Sequence, residues 1–475
     1  MSRLTSEKQP DQLWVEKTLI EKRLPSDWIA AGAIYEILLV TGANTSLRNI
    51  ADAKLPELQE LGFNAVYVMG AFEMETDPAA DIKGSAFCLR NHRKVNKQWG
   101  AEGDLDNLFY EAHQRGMGIG VDLVLNHVSR KNPLARRAGF CLRDDSGRLQ
   151  TAACTTIIDG RSEELFFSDV VQLDLSNPAV REELKQIVLS IVRRAPIGCK
   201  LFFRVDMAAQ MMNRQLERRW GFQMPEQEWM AEIIAVARAI NPNVAFVAEV
   251  NGEATAEELR AIGYNVFPSK GNEQRGLAKG WYDAHVSQDP QQINFAIASL
   301  VYAQDDPRAS GMATVGGHDE AFFMRAMGAW GPGAMALTLM MRPLLWLGST
   351  EWGQDYQGDR GALPDLEENK AIPFGVENDF SIKDPHLLAT WKRICRLAKR
   401  VMAEMGNNVS YYELLNSQGN NWVGYAIKPK YANAPVYYVV GNPTNQAVSF
   451  HSFGPIEPKT VWLFNAHSGQ REKLV

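Results

Sequence analysis

Cysteine is scarce in this chain of 475 residues. There are five, at Cys88, Cys141, Cys154, Cys199 and Cys395, an odd number without a CxxC pair. That scatter points to neither a disulfide framework nor a zinc site, and reduced thiols fit a cytoplasmic protein. Positive charge is not in excess: 50 Lys and Arg face 56 Asp and Glu, a net charge of −6. No basic stripe interrupts that balance, so a nucleic-acid partner is not expected. Long hydrophobic runs are also missing. The most apolar stretch, Gly333 to Leu347, is shorter than the ~20 residues of a membrane span and contains Arg342 and Pro343. The first residues, MSRLTSEKQPDQLWVEKTLIEKR, lack the apolar core and small-residue cleavage site of a secretory leader. No short internal repeat recurs.

What is present is a short apolar run followed by an amphipathic helical pattern, many times over. Strands are predicted at Ala33–Val40, Ala65–Met69, Gly118–Asn126, Lys200–Asp206, Val244–Val250, Tyr264–Phe267, Met312–Val315 and Pro343–Leu347. Helices are predicted at Leu47–Leu61, Asp104–Arg115, Pro178–Arg194, Glu228–Ile240, Gln291–Tyr302, Ala334–Met341 and His386–Ala403. Apolar strands alternating with helices imply a parallel sheet covered on both faces. Eight units fit an α/β fold of the (β/α)8 TIM-barrel type. An open dinucleotide-binding sheet would carry GxGxxG after its first strand, but TGANTSL follows Val40. The connection from Asn126 to Pro178 is long and irregular in pattern, as functional loops often are; it reads as an excursion over the barrel mouth. After Met405 the pattern becomes period-two with turn residues between, which predicts a small antiparallel β-sandwich. The domains are therefore expected to be 1–127 with 178–404 as barrel, 128–177 as an inserted loop domain, and 405–475 as the sandwich.

In a barrel enzyme the chemistry comes from the C-terminal ends of several strands. Strand three ends in Asp122-Leu-Val-Leu-Asn126-His127, where alternation puts Asp122, Val124 and Asn126 on one face. Strand four ends in Arg204-Val-Asp206, strand five in Glu249, and Gly316-Gly317-His318-Asp319 follows strand seven. Several carboxylates aimed at one pocket repel each other and suffer from burial. That cost is useful where one carboxyl must be ionised and another protonated, as in glycoside hydrolysis. Arg204 would keep Asp206 ionised, and burial at the end of an apolar strand would hold a proton on Glu249. A metal-dependent hydrolase is disfavoured, because no HxH follows the first strand and His127 and His318 stand apart.

These segments resemble the α-amylase family of retaining glycosidases and transglycosidases, glycoside hydrolase family 13. Asp122–His127, Phe203–Asp206, Val247–Val250 and His318-Asp319 match its four signature regions in order. Asp169–Pro178, Asn91–Asn96 with Trp99-Gly100, and Leu347–Gly353 are similar to three further segments of the family. The resemblance implies Asp206 as nucleophile, Glu249 as acid/base and Asp319 as transition-state stabiliser. It further implies Phe87, Asp122, His127, Arg204 and His318 as substrate-binding residues. No metal site and no cofactor are expected: Asn126 is a calcium ligand in many relatives, but a loop-ordering hydrogen bond is the favoured reading of it here.

The chain also departs from the family pattern. Phe202 stands where Gly usually precedes Phe-Arg, Phe87 replaces a stacking Tyr, and Asn91-His92 replaces Asp-Tyr. Ala209-Gln210 replaces Lys-His, and Gly316-Gly317 replaces Glu-Asn. The expected activity is a retaining α-glycosidase on short maltooligosaccharides or a disaccharide. A transglycosylase or sugar isomerase with the same triad is the alternative; a catalytically silent glycan- or protein-binding barrel is the alternative of another class. Of the twelve Trp, Trp99 and Trp352 are the candidates for stacking on a sugar, whereas Met207 reads as packing.

Overall fold

The computed structural model describes residues 24–39, 45–76, 82–158, 161–250, 254–268, 280–303, 310–317, 323–348, 350–352, 372–373, 384–405, 410–415, 421–429, 436–450 and 454–475. Eight parallel strands close into a barrel: β1 (Ala33–Leu38), β2 (Ala65–Met69), β3 (Gly118–Leu123), β4 (Leu201–Val205), β5 (Ala245–Ala248), β6 (Val266–Pro268), β7 (Ser310–Thr314) and β8 (Leu344–Leu347). The helices packed around them include α1 (Leu55–Leu61), α2 (Glu102–Gln114), α3 (Pro178–Val192), α4 (Trp229–Ile240), α5 (Ala256–Ile262), α6 (Pro290–Ala303), α7 (Gly331–Leu339) and α8 (Pro385–Glu404). Helix α1 stops at Gly62, whose φ of +97° places it in the left-handed region that favours glycine. Helix α5 has no counterpart among the predicted helices. Its signal lies in Thr255 and Glu258, whose side chains cap each other's backbone N–H groups.

The barrel interior is packed in layers. Phe202 of β4 is in register with Gly120 of β3, and Gly120 with Tyr67 of β2. A Cβ on Gly120 would lie 2.3 Å from the Phe202 ring. The departure at Phe202 is thus matched by a neighbour that gives up its side chain. Below it, Trp28 from the short helix Pro25–Ala31 lies over Gly118, 6.0 Å edge-on from Phe202, and donates to Asn243 O at 2.8 Å. This helix plugs the N-terminal end.

The excursion is more regular than its sequence suggests. Strand Arg161–Gln172 pairs antiparallel with Thr151–Ile158 on one side and His127–Ser129 on the other. The long hairpin is rich in Thr, Ile, Val and Phe, residues that suit a pleated surface, but its mixed polarity hides the period-two pattern.

The C-terminal region forms a five-stranded antiparallel sheet of β9 (Ser410–Leu414), β10 (Val423–Pro429), β11 (Tyr437–Gly441), β12 (Val461–Asn465) and β13 (Arg471–Lys473). Its second layer is only a two-stranded ribbon, Val448–Ser449 with Pro455–Ile456. Alternation decides its contacts. Val423, Tyr425, Val439 and Leu463 join the barrel's own core, while Trp422, Val440, Phe450, Ile456 and Phe464 form a separate cluster on the other face. Tyr425 donates to Leu337 O of α7 at 2.6 Å, and Asn294 of α6 holds Trp422 O at 2.9 Å. All five cysteines are buried and unpaired with one another. Among the described residues no helix is long and apolar enough to cross a membrane.

Candidate active site

Hydrogen bonds between strands run on past the ends of β3, β4 and β5. Asp206 N donates to Leu123 O at 3.1 Å and Glu249 N to Val205 O at 3.1 Å. This places Asp206 and Glu249 as neighbours at the C-terminal rim, on the face that Arg204 also uses. The guanidinium of Arg204 joins them: Nη1 lies 2.7 Å from Asp206 Oδ1, and Nη2 lies 2.8 Å from Glu249 Oε1. Asp122 Oδ1 is 4.0 Å from Nη1. Asp122 also accepts a short hydrogen bond from the Tyr67 hydroxyl and a 3.3 Å bond from Gly70 N. Arg204, Asp122, Asp206 and Glu249 are all buried.

Burial works against the Arg204 charge, but Glu249, Asp206 and Asp122 around it outweigh that and hold its pKa well above the usual value. Tyr67 is likewise raised, by burial first and then by Asp122; its phenol stays protonated and remains a donor. Three buried carboxyls surround one guanidinium. Full ionisation of all three would leave uncompensated charge away from water.

Glu249 sits in a more polar setting than its apolar strand suggests. Apolar burial does not act on it alone, because Arg204 binds one oxygen and Met207 N donates to the other at 2.6 Å. Both contacts favour the carboxylate. Met207 makes its contact from a left-handed backbone, φ 52°, a conformation that costs a residue with a side chain roughly 1–2 kcal/mol. Strain of that kind collects at functional sites, and nothing in the local sequence announces it.

Phe87 lies 5.2 Å under the Arg204 guanidinium and is buried. His127 Nε2 is 3.8 Å from Asp206 Oδ2, and its ring stacks on Phe167 of the hairpin at 6.4 Å. The described structure therefore brings together Phe87, Asp122, His127, Arg204, Asp206 and Glu249. His318 and Asp319 lie outside the described residues. Alternation stops with β3 at Leu123, so Asn126 does not share the Asp122 face and turns instead to Gln172. His92, in the short strand Leu89–Val95 between β2 and α2, donates through Nε2 to Val124 O at 2.8 Å, with burial lowering its pKa to about 4. It braces the exit of β3 as a neutral ring. Trp99 is buried in the main core, and Trp352 has Lys54 5.7 Å over its ring; packing describes both better than sugar stacking.

A calcium ion does not fit at Asn126. Its Oδ1 and O, with Leu173 O, converge on Gln172 Nε2 at 3.1, 3.0 and 3.1 Å. An amide NH2 already stands where those oxygens would bind a cation. Among the described residues no group of three His, Cys, Asp or Glu could hold a metal ion.

Residues 44–139 match a family model described as the alpha amylase catalytic domain. Alpha-amylase 3 of Dictyoglomus thermophilum is 23% identical over 259 residues, 51% of this chain and 48% of that protein. Oligo-1,6-glucosidase of Heyndrickxia coagulans is 31% identical over 110 residues, 22% of this chain and 19% of that protein. The chain thus spans about half the length of the first of these relatives and a fifth of the second. An α-amylase crystal structure from H. orenii superposes with a TM-score of 0.62 at 19% identity, covering 88% of this chain and 91% of that one. At that identity the likeness shows the fold.

Proposed function

We propose that this chain is a member of the α-amylase family and, from that premise, a retaining α-glycosidase acting on short α-linked glucosides. The observation that carries the reading is the bridge from one buried guanidinium to two carboxylates on adjacent strand ends. Retaining enzymes use a carboxyl pair ~5–5.5 Å apart, inverting ones a wider pair that admits a water. A shared arginine supports the narrower spacing. Asp206 attacks the anomeric carbon and forms a glycosyl ester. Glu249, which enters the reaction protonated once its contacts with Arg204 and Met207 N loosen, gives that proton to the leaving oxygen as Arg204 shifts its weight to Asp206. Glu249 then takes a proton from water, which releases the sugar with its original configuration. Asp122, Tyr67, His127 and Phe87 line the same rim and would hold the sugar ring, with Asp319 and His318 as partners from the seventh strand end. Residues 128–177 would act as the cover of the site and 405–475 as a supporting sheet. Short substrates fit a mouth flanked by the hairpin.

The covering hairpin also supports a second outcome, transfer to a sugar acceptor, because excluding water favours it. Hydrolysis of an aryl α-maltooligoside tests the main reading. Asp206→Asn is expected to lower kcat/KM by at least about 10^4-fold in a variant that still unfolds cooperatively. Undiminished turnover in that variant refutes the assignment. Product analysis with added glucose separates hydrolysis from transfer.

A further inference from the structure

The Gln172 carboxamide is wholly buried where the hairpin rejoins the barrel. Its nitrogen lies 3.0 Å from Asn126 O and 3.1 Å from Leu173 O. Backbone carbonyls only accept, so these two contacts decide which end of the Gln172 amide is nitrogen. The same nitrogen is 3.1 Å from Asn126 Oδ1, which decides the Asn126 amide in turn. Asn126 Nδ2 is then the other end of that amide. It shares its two protons among Gln172 Oε1 at 3.3 Å, Met207 Sδ at 3.4 Å and His127 Nδ1 at 3.4 Å. An NH2 group facing a ring nitrogen is accommodated when that nitrogen is the unprotonated one, which puts the His127 proton on Nε2, the atom 3.8 Å from Asp206.

We infer that Gln172 is a positioning residue that sets the tautomer of His127 through Asn126, presenting an N–H to the sugar and to Asp206. The role in catalysis rests on the reading of Asp206 as nucleophile; the tautomer does not. The relay joins elements far apart in sequence: the hairpin return supplies Gln172, the exit of β3 supplies Asn126 and His127, and the turn after β4 supplies Met207.

Selective [15N]histidine labelling of the full chain tests it, with the His127 ring signals assigned by their loss in His127→Gln. Wild type is expected to show the Nε2–H tautomer. Asn126→Asp replaces the NH2 by an acceptor and is expected to convert His127 to a form protonated at Nδ1. Gln172→Met is expected to give a mixed tautomer and a fall in kcat/KM of about tenfold, carried mostly by KM. An Nδ1–H ring in wild type overturns the inference. So does an Nε2–H ring that persists in Asn126→Asp, or in a Gln172→Met variant that melts like wild type. A shifted tautomer with wild-type turnover would keep the relay and count against the catalytic reading alone.

Discussion

Two buried carboxylate sites differ in a way that separates chemistry from structure. At the mouth, Asp122, Asp206 and Glu249 gather around Arg204. At the end of β8, Glu351 is buried and accepts from the Tyr35 hydroxyl at 2.7 Å and the Trp346 indole N–H at 2.9 Å. Burial raises the Glu351 pKa, although the two hydrogen bonds and nearby Lys54 oppose the rise. The first site holds charges against burial with an arginine; in the second, burial shifts one acid toward neutrality against the pull of uncharged donors. The double displacement proposed above would use the first arrangement, which keeps one carboxyl ionised beside another that trades a proton with the substrate, whereas a strand-to-helix corner is held adequately by the second.

Removing the arginine fork breaks the comparison most directly. Lysine cannot bridge two carboxylates in a plane, so Arg204→Lys is expected to lower kcat/KM by about 10^2–10^3-fold. It is also expected to destabilise the fold by about 3 kcal/mol; steady-state kinetics and chemical denaturation check both. A smaller effect is expected one layer below the mouth. Gly120→Ala puts a methyl 2.3 Å from the Phe202 ring and should destabilise by about 1–3 kcal/mol. Phe202→Leu on that background should restore part of the loss. An unchanged melt for Gly120→Ala would mean that the ring does not depend on the missing side chain.

The smallest effect is expected at Glu351→Gln, since an amide supplies one acceptor for Trp346 and one donor for the Tyr35 oxygen. The native pKa lies above the ordinary 4.5. The wild-type contribution is therefore complete below that pH and is lost as pH rises through the native value. The melting difference between the two proteins should move in favour of the glutamine variant as pH rises through this window. A difference that does not change with pH would show that Glu351 is charged in the fold and bring the two sites closer together.

Legibility differs between the same two regions. Asp206 and Glu249 can be read because strand-end position and alternation are local properties. Gln172, Tyr67 and the pairing of Phe202 with Gly120 cannot, because each acts across strands that are distant in the chain. Met207 reads as packing, since a left-handed backbone leaves no mark in a residue's identity. The hairpin reads as irregular, because a sheet solvated on part of both faces has no clean alternation.

The sequence by itself determined the repeating strand and helix units, the barrel class and the carboxyls at its rim, all set by short-range periodicity and by side-chain chemistry. Only the tertiary structure decided that one arginine serves two carboxylates, that Gln172 stands in place of a cation, and that the terminal sheet shares the barrel's core. Those outcomes depend on which strands become neighbours when the barrel closes, and no local pattern carries that information.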